Sequence, residues 1–159
     1  MPLVTLDAAR AHCRVDPDYP DDQLQGYVDA AVRAASDYLN RGLFEDQSAL
    51  DAALDDVAGD IGTASDAYQE AKTAAAALPN PEAARAALAV ADERWATAQV
   101  AATRTTYGIV ATPAIISAIK LTIGHLFANR ADVSVGASVY QMPLGTADLL
   151  RPYRRIMMP

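Results

Sequence analysis

Thr112-Pro113-Ala114-Ile115-Ile116-Ser117-Ala118-Ile119-Lys120-Leu121-Thr122-Ile123-Gly124-His125-Leu126-Phe127-Ala128-Asn129-Arg130 is the stretch on which the fold turns. Thr112 is a good helix N-cap, because its side-chain oxygen can accept from the open amides of a first turn. Pro113 suits the first helical position, which needs no amide donor. Ile116, Ile119, Ile123, Leu126 and Phe127 recur at helical spacing and predict one wide apolar face. Lys120 and Asn129 fall off that stripe, and Arg130 sits in the last turn, where a cation suits the helix dipole. A face this apolar has to be covered, so helices on either side are needed to build a core around it.

The first of these partners lies upstream. Leu24, Tyr27, Val28, Ala31, Val32, Ala35, Tyr38 and Leu39 recur three and four apart, which predicts an amphipathic helix from about Asp21 to Asn40. Gly42 stands where a left-handed C-cap belongs. Before it, Val15-Asp16-Pro17-Asp18-Tyr19-Pro20-Asp21-Asp22 reads as a turn. Its acids suit the positive end of the following helix. The Asp-x-Asp…Gly…Glu pattern of a calcium loop is absent. Thr5 can cap a short first helix on which Leu6, Ala9 and Cys13 share a face.

Residues 45–107 follow a different rule. Leu50, Leu54, Val57, Ile61, Ala64, Tyr68, Ala71, Ala75 and Leu78 alternate spacings of four and three, which is a heptad seam. Pro79-Asn80-Pro81 interrupts it, and a second seam runs through Ala84, Leu88, Ala91, Trp95, Ala98, Ala102 and Thr105. Two seams around such a turn predict an antiparallel helical hairpin. Facing residues then have a nearly constant sum of numbers, which pairs Leu78 with Ala84, Ala75 with Leu88, Ala71 with Ala91, Ala64 with Ala98 and Ile61 with Ala102. The same register sets Tyr68 against Trp95 as an aromatic clasp. Gly59 and Gly62 suggest a bend or a close approach of another helix.

Downstream of the central helix, Val133, Val135, Ala137 and Val139 alternate loosely around Gly136, which suits an extended arm at 132–145. Thr146 is placed to cap a last short helix that Pro152 stops. The resulting fold class is all-α. Helices at about 5–13, 21–41, 112–131 and 146–151 form a small bundle. A long antiparallel hairpin, about 45–78 and 81–107, is inserted into it. The domain division is 1–44 with 108–159 as a core, and 45–107 as the insertion.

Composition narrows the function classes. The 159 residues carry a formal charge of −7, and only one cysteine. Residues 1–42 hold seven acids and four bases, residues 43–112 eleven and four, and residues 113–159 two and five. An acidic chain with a basic C-terminal end is a poor general nucleic-acid binder, since phosphates need cations. The basic end can instead dock on an acidic neighbour. A lone Cys13 excludes an internal disulfide framework and reads as a small buried thiol. The opening Met1-Pro2-Leu3-Val4-Thr5 shows no signal peptide, and no apolar run is long enough to cross a membrane. His12 and His125 lack partners at metal-ligand spacing, and His125 reads as a core-edge residue. Ser117 lacks a Gly-x-Ser-x-Gly context, and no glycine-rich phosphate loop exists. No enzyme, cofactor or metal site is read from this chain.

Two stretches together carry a resemblance. The first runs Val4-Thr5-Leu6-Asp7-Ala8-Ala9-Arg10-Ala11-His12-Cys13-Arg14-Val15-Asp16 into the Asp-rich turn and a helix ending Tyr38-Leu39-Asn40-Arg41-Gly42. The second is the apolar helix ending His125-Leu126-Phe127-Ala128-Asn129-Arg130, a loop, then Pro143-Leu144-Gly145 and Leu149-Leu150-Arg151-Pro152-Tyr153-Arg154. In order and spacing these ends resemble the small head-tail connector, or adaptor, proteins of tailed phages and phage-like particles such as gene transfer agents. The resemblance covers about residues 3–42 and 112–155 and leaves 43–111 as an insertion.

It implies a structural virion protein that forms a homo-oligomeric ring, usually a dodecamer, beneath the portal protein. Such a ring extends the DNA channel and meets other neck and tail completion proteins at the head-tail junction. An acidic wall lets DNA pass without specific binding. Assembly in the host cytoplasm, with no membrane step, is the expectation. Leu149, Leu150, Arg151, Pro152, Tyr153, Arg154 and Arg155 are the candidate oligomer or portal contacts, together with the 132–145 arm. The alternative is a coiled-coil protein–protein interaction module acting through the 45–107 hairpin, in which the Tyr68–Trp95 clasp makes Trp95→Ala costly by several kcal/mol, on the scale of about 3–5 for a buried aromatic.

Overall fold

A computed structural model describes residues 2–16, 18–129 and 145–156. The chain divides into two compact units, one built from residues 1–46 and 109–159, the other from residues 47–108. The first unit contains α1 (Leu6–Cys13), α2 (Asp21–Leu39), β1 (Leu43–Phe44), β2 (Ile109–Val110), α5 (Pro113–Ala128), α6 (Thr146–Leu150) and a 3-10 turn over Arg151–Tyr153. The second is α3 (Gln47–Ala76) and α4 (Pro81–Thr106). Architecture is all-α apart from the two-residue strands.

The core of the first unit is the meeting of α2 and α5. Leu24, Ala31 and Leu39 on α2 and Ile115, Ala118, Ile119 and Ile123 on α5 are fully buried. Val28 and Ala35 complete the α2 stripe at the predicted spacing. On α5 the stripe is rotated from its expected position. Ile115 and Ala118 point inward, while Ile116 and Phe127 are half-buried at the margin. A nearly uniform apolar helix leaves the choice of inward face to its neighbours, because several adjacent stripes are equally hydrophobic. Phe127 is used at that margin, edge-on to Tyr19 at 5.5 Å and to Tyr27 at 6.4 Å between ring centroids. Ala9 of α1 and Leu150 of α6 close the core, with Leu6 and Cys13 packed against it.

The caps of α1 and α5 form as their residues dictate. Thr5 Oγ1 accepts from the Ala8 amide and Thr112 Oγ1 from the Ile115 amide, with Pro113 at the first helical position. Elsewhere the capping differs from expectation. Asn40, not Gly42, takes the left-handed position after α2, at φ 54°. Its short polar side chain tolerates that region better than most. The N-cap of α2 is Pro20, with no side-chain cap, but Asp21 and Asp22 stand in its first turn, where the helix dipole favours them. Asp21 is paired with Arg10, which also donates to the carbonyls of Asp16 and Tyr19. Gly145 rather than Thr146 caps α6, and Pro152 sits inside the 3-10 turn that prolongs it. Arg130 and residues 132–144 of the expected 132–145 arm lie outside the described residues.

The strands were not expected. Leu43 pairs with Ile109 and Phe44 with Val110 in a parallel ladder. The Ile109 amide donates to the Gly42 carbonyl at 2.9 Å and the Ala111 amide to Phe44 at 2.8 Å. Two residues are too few for an alternation to register in sequence.

In the second unit, α3 at 30 residues extends roughly 45 Å along its axis. Asn80 caps α4, its side chain accepting from the Glu82 and Ala83 amides. Tyr68 and Trp95 stack at 5.7 Å with 15° between their planes. Only Ala75 and Ala91 are buried in this unit among the described residues. Near the tip the seam departs from the predicted pairs. Leu78 lies beyond the end of α3 and is 42% exposed, while Leu88 is 38% exposed and Ala87 takes a half-buried place. At the other end Leu54 is 39% exposed. A Cβ on Gly59 or Gly62 would meet nothing within 4 Å, so neither glycine serves a close helix approach.

Stability should divide accordingly. Ile119→Ala in the first unit is expected to cost about 2–5 kcal/mol in denaturant unfolding. Trp95→Ala, at a half-buried site, should cost less than the range for a fully buried aromatic; an equal or larger loss would show a tighter clasp than the structure has. Gly59→Ala and Gly62→Ala should each stabilise α3 by up to about 1 kcal/mol, read as a higher midpoint for unfolding of the hairpin. A destabilisation would mean that these positions are covered by something.

Candidate functional site

The C-terminal segment is built against the first unit by its own apolar residues. Leu150 is 2% exposed, and Leu149 and Tyr153 pack against the core. The Tyr38 hydroxyl donates to the Ala147 carbonyl at 3.5 Å. The Arg155 amide donates to the Leu39 carbonyl at 2.9 Å, which ties the segment to the end of α2. Arg154 places its guanidinium 5.0 Å from the centre of the Tyr38 ring, a cation–π contact at an exposed site.

These contacts sort the seven residues singled out by sequence. Leu149, Leu150 and Tyr153 are occupied inside the chain's own fold, and Leu150 has no surface to offer a partner. Arg155 is half-buried and held through its backbone. Arg151, Pro152 and Arg154 are exposed, and Ile156 beyond them is 80% exposed. Sequence reasoning missed the platform role of Tyr38. Tyr38 lies on the predicted stripe of α2, but nothing in the chain says which distant cation will rest on it.

A second surface lies on the other flank of α2. A groove of about 380 Å³ is lined by aliphatic residues such as Leu3, Val28, Val32 and Leu43, together with Asp29 and Arg33. Gln25 donates to Asp29 at 2.7 Å, and Arg33 pairs with Asp37 at 3.1 Å. The edge is therefore polar and the floor aliphatic. The flank is set by helical geometry. Residues 25, 29, 32 and 36 repeat at four, three and four, a line beside the buried stripe on the side away from Tyr27 and Tyr38.

Chemistry-bearing groups are scattered. His125 is exposed rather than at the core edge, with Asn129 beside its Nδ1 at 3.2 Å. His12 lies over Gly124. Cys13 is half-buried, and burial raises its thiol pKa. Among the described residues no three His, Cys, Asp or Glu side chains gather as a metal site. No helix of the described residues is long and apolar enough to cross a membrane.

On the hairpin, Tyr68 donates its hydroxyl to Asp92 at 2.7 Å, and Lys72 stands 5.2 Å from the same ring. Tyr68 thus has a stacked face toward Trp95 and a polar edge toward the charged side of α4.

The sequence profile of the phage gp6-like head-tail connector proteins matches residues 3–154, and the chain belongs to that family. The matched span runs through the hairpin, which the likeness of the two ends alone leaves out. A search of the curated proteins found no match. A search of the solved structures found none either. The chain is thus a structural connector of the phage particle, and its family places it at the head-tail junction.

One titration follows from the Tyr68 geometry. The hydrogen bond to Asp92, with lesser contributions from burial and from the carboxylate charge, raises the Tyr68 pKa above its usual 10.0. The folded state then keeps a proton that the unfolded state gives up. The stabilisation is complete below pH 10 and is lost as pH rises through the folded value. Thermal unfolding followed between pH 9 and 12 should show Tyr68→Phe losing less stability than the parent over that window. Parallel curves would show that the Asp92 bond does not form.

Proposed function

We propose that copies of this chain assemble into a closed ring beneath the portal vertex, extend the channel through which DNA passes, and present the opposite side to neck and tail completion proteins. The observation that carries this reading is the family match across residues 3–154. The charge pattern supports it. An overall charge of −7 lines a passage to which polyphosphate does not adhere. The basic C-terminal end, with Arg151 and Arg154 exposed, supplies the cations for docking on acidic protein surfaces. Among the seven candidate contact residues, Arg151, Pro152 and Arg154 fit this role, because they stand outside the core that Leu149, Leu150 and Tyr153 complete. The 132–145 arm remains a candidate contact on sequence grounds. The setting is the virion neck of a phage or a phage-like particle, assembled in the host cytoplasm, with a dodecamer as the copy number that family likeness suggests.

The hairpin supports a second reading, that of a coiled-coil interaction module. Val90 is 51% exposed and Val100 46%, so α4 carries apolar side chains that its partner helix does not cover. In a ring, those positions would brace neighbouring subunits.

The ring is tested by negative-stain electron microscopy with a light-scattering mass on the same sample, alone and mixed with portal complexes. Closed rings with a central hole are expected in at least one condition. A protein that stays monomeric in both overturns the reading. Arg151→Glu combined with Arg154→Glu should abolish portal capture while leaving the circular dichroism unchanged, because both side chains are exposed. Undiminished capture would remove the C-terminal end from the portal interface.

A further inference from the structure

We infer that the small parallel sheet continues from copy to copy: the outer edge of β1 in one chain takes the outer edge of β2 from a second copy of the same chain as a further parallel strand. The inference rests on the ring reading above and specifies the contact between neighbouring subunits.

The sheet of a single chain is unfinished on both sides. The Ile109 amide donates to the Gly42 carbonyl and the Ala111 amide to the Phe44 carbonyl. Backbone groups of successive strand residues point to opposite edges. Leu43, between Gly42 and Phe44, therefore turns its amide and carbonyl away from β2. Val110, between Ile109 and Ala111, turns its own away from β1. Among the described residues, neither pair of outward groups forms another backbone hydrogen bond. Both residues are half-buried, where an unpaired backbone group is costly. Open amides and carbonyls along a strand edge are a template for one more strand. A two-stranded pair is also marginal by itself, and added strands support it.

The two edges fit each other and cannot meet within one chain. β1 and β2 lie side by side, so their outer edges face in opposite directions, and a contact between them joins two chains. In the register of the chain's own ladder, with Leu43 beside Ile109, the Val110 amide of the incoming copy donates to the Leu43 carbonyl. The incoming strand Ile109-Val110-Ala111 is aliphatic and uncharged. The receiving side has the same character. Leu43 lines the groove beside α2 together with Leu3, Val28 and Val32. The charges on that groove are already matched, Arg33 with Asp37 and Asp29 with Gln25, so an uncharged strand suits it.

The kinds of edge also set the symmetry. β1 meeting β2 is a heterologous contact, which generates a ring when the rotation closes. β1 meeting β1 would be self-complementary and would stop at a dimer.

Proline at the outward amide tests the pairing. Val110→Pro removes a donor that the chain's own ladder does not use, and an edge strand tolerates proline on that side. The variant should keep its circular dichroism and raise the concentration for half-assembly at least roughly tenfold, the effect of one lost backbone hydrogen bond per contact together with the bulk of the ring. Assembly of a folded Val110→Pro protein at the parent's concentration would overturn the inference. Amide hydrogen exchange of the parent gives a reading that does not depend on how the variant folds. The Val110 amide should exchange as an open amide in the monomer and at least roughly tenfold more slowly in the ring. Rings in which that amide exchanges at the monomer rate would overturn the pairing and leave the ring reading intact. A discrete dimer in which the Leu43 amide is protected and the Val110 amide is not would mean that β1 pairs with itself, and would overturn it too. Absence of rings in the parent protein, alone and with portal, would remove the ring reading and this inference with it.

Discussion

The contact of α2 with α5 is the constraint from which the rest of the first unit follows. Both helices contribute small and branched side chains at the line of contact: Ala31 and Ala35 on one, Ala118, Ile119 and Ile123 on the other. Small residues let the backbones approach, and the isoleucines fill the space on either side. Once that pair is set, α1 is placed by Ala9 and α6 by Leu150, each of which inserts one buried side chain into the same core. Short elements of eight and five residues have little helical stability alone. Their position depends on the core that the two longer helices make.

The hairpin obeys a different balance. It buries little, and many of its seam positions are alanine, so it gains little from apolar transfer. Its helices are supported instead by strong helix formers, by the Asn80 cap, and by side-chain pairs such as Arg85 with Glu82 at 2.7 Å. The stacked Tyr68 and Trp95 add an aromatic contact to the seam. Such a unit keeps its shape through local preferences, and its apolar positions stay available to whatever packs on it.

Family membership makes the chain a connector, whereas the geometry says which of its surfaces are free to connect. The C-terminal segment illustrates the difference. Its Leu-Leu-Arg-Pro-Tyr-Arg sequence reads as a uniform contact motif, yet it divides by residue. Leu149, Leu150 and Tyr153 pack on the core, and Arg151, Pro152 and Arg154 remain outside. Arg154 is part of both, since it rests on Tyr38 and still faces solvent.

Sequence by itself determined the features whose causes are local. The stripe of α2, the caps at Thr5 and Thr112, the Pro-Asn-Pro interruption and the clasp register of Tyr68 with Trp95 all depend on spacing within one helix or across one turn. So does the partition of acid and base along the chain, which any fold would inherit. Tertiary structure decided the features that depend on residues far apart. Ile115 rather than Ile116 faces the core because the neighbours of α5 select among stripes of equal hydrophobicity. Asp21, in the first turn of its own helix, also pairs with Arg10, because α1 lies within reach. Leu43 and Phe44 become a strand only when Ile109 and Val110 return beside them. The groove beside α2 exists only because the N-terminal residues and β1 flank one helix, and no pattern within any one of those segments encodes the space between them.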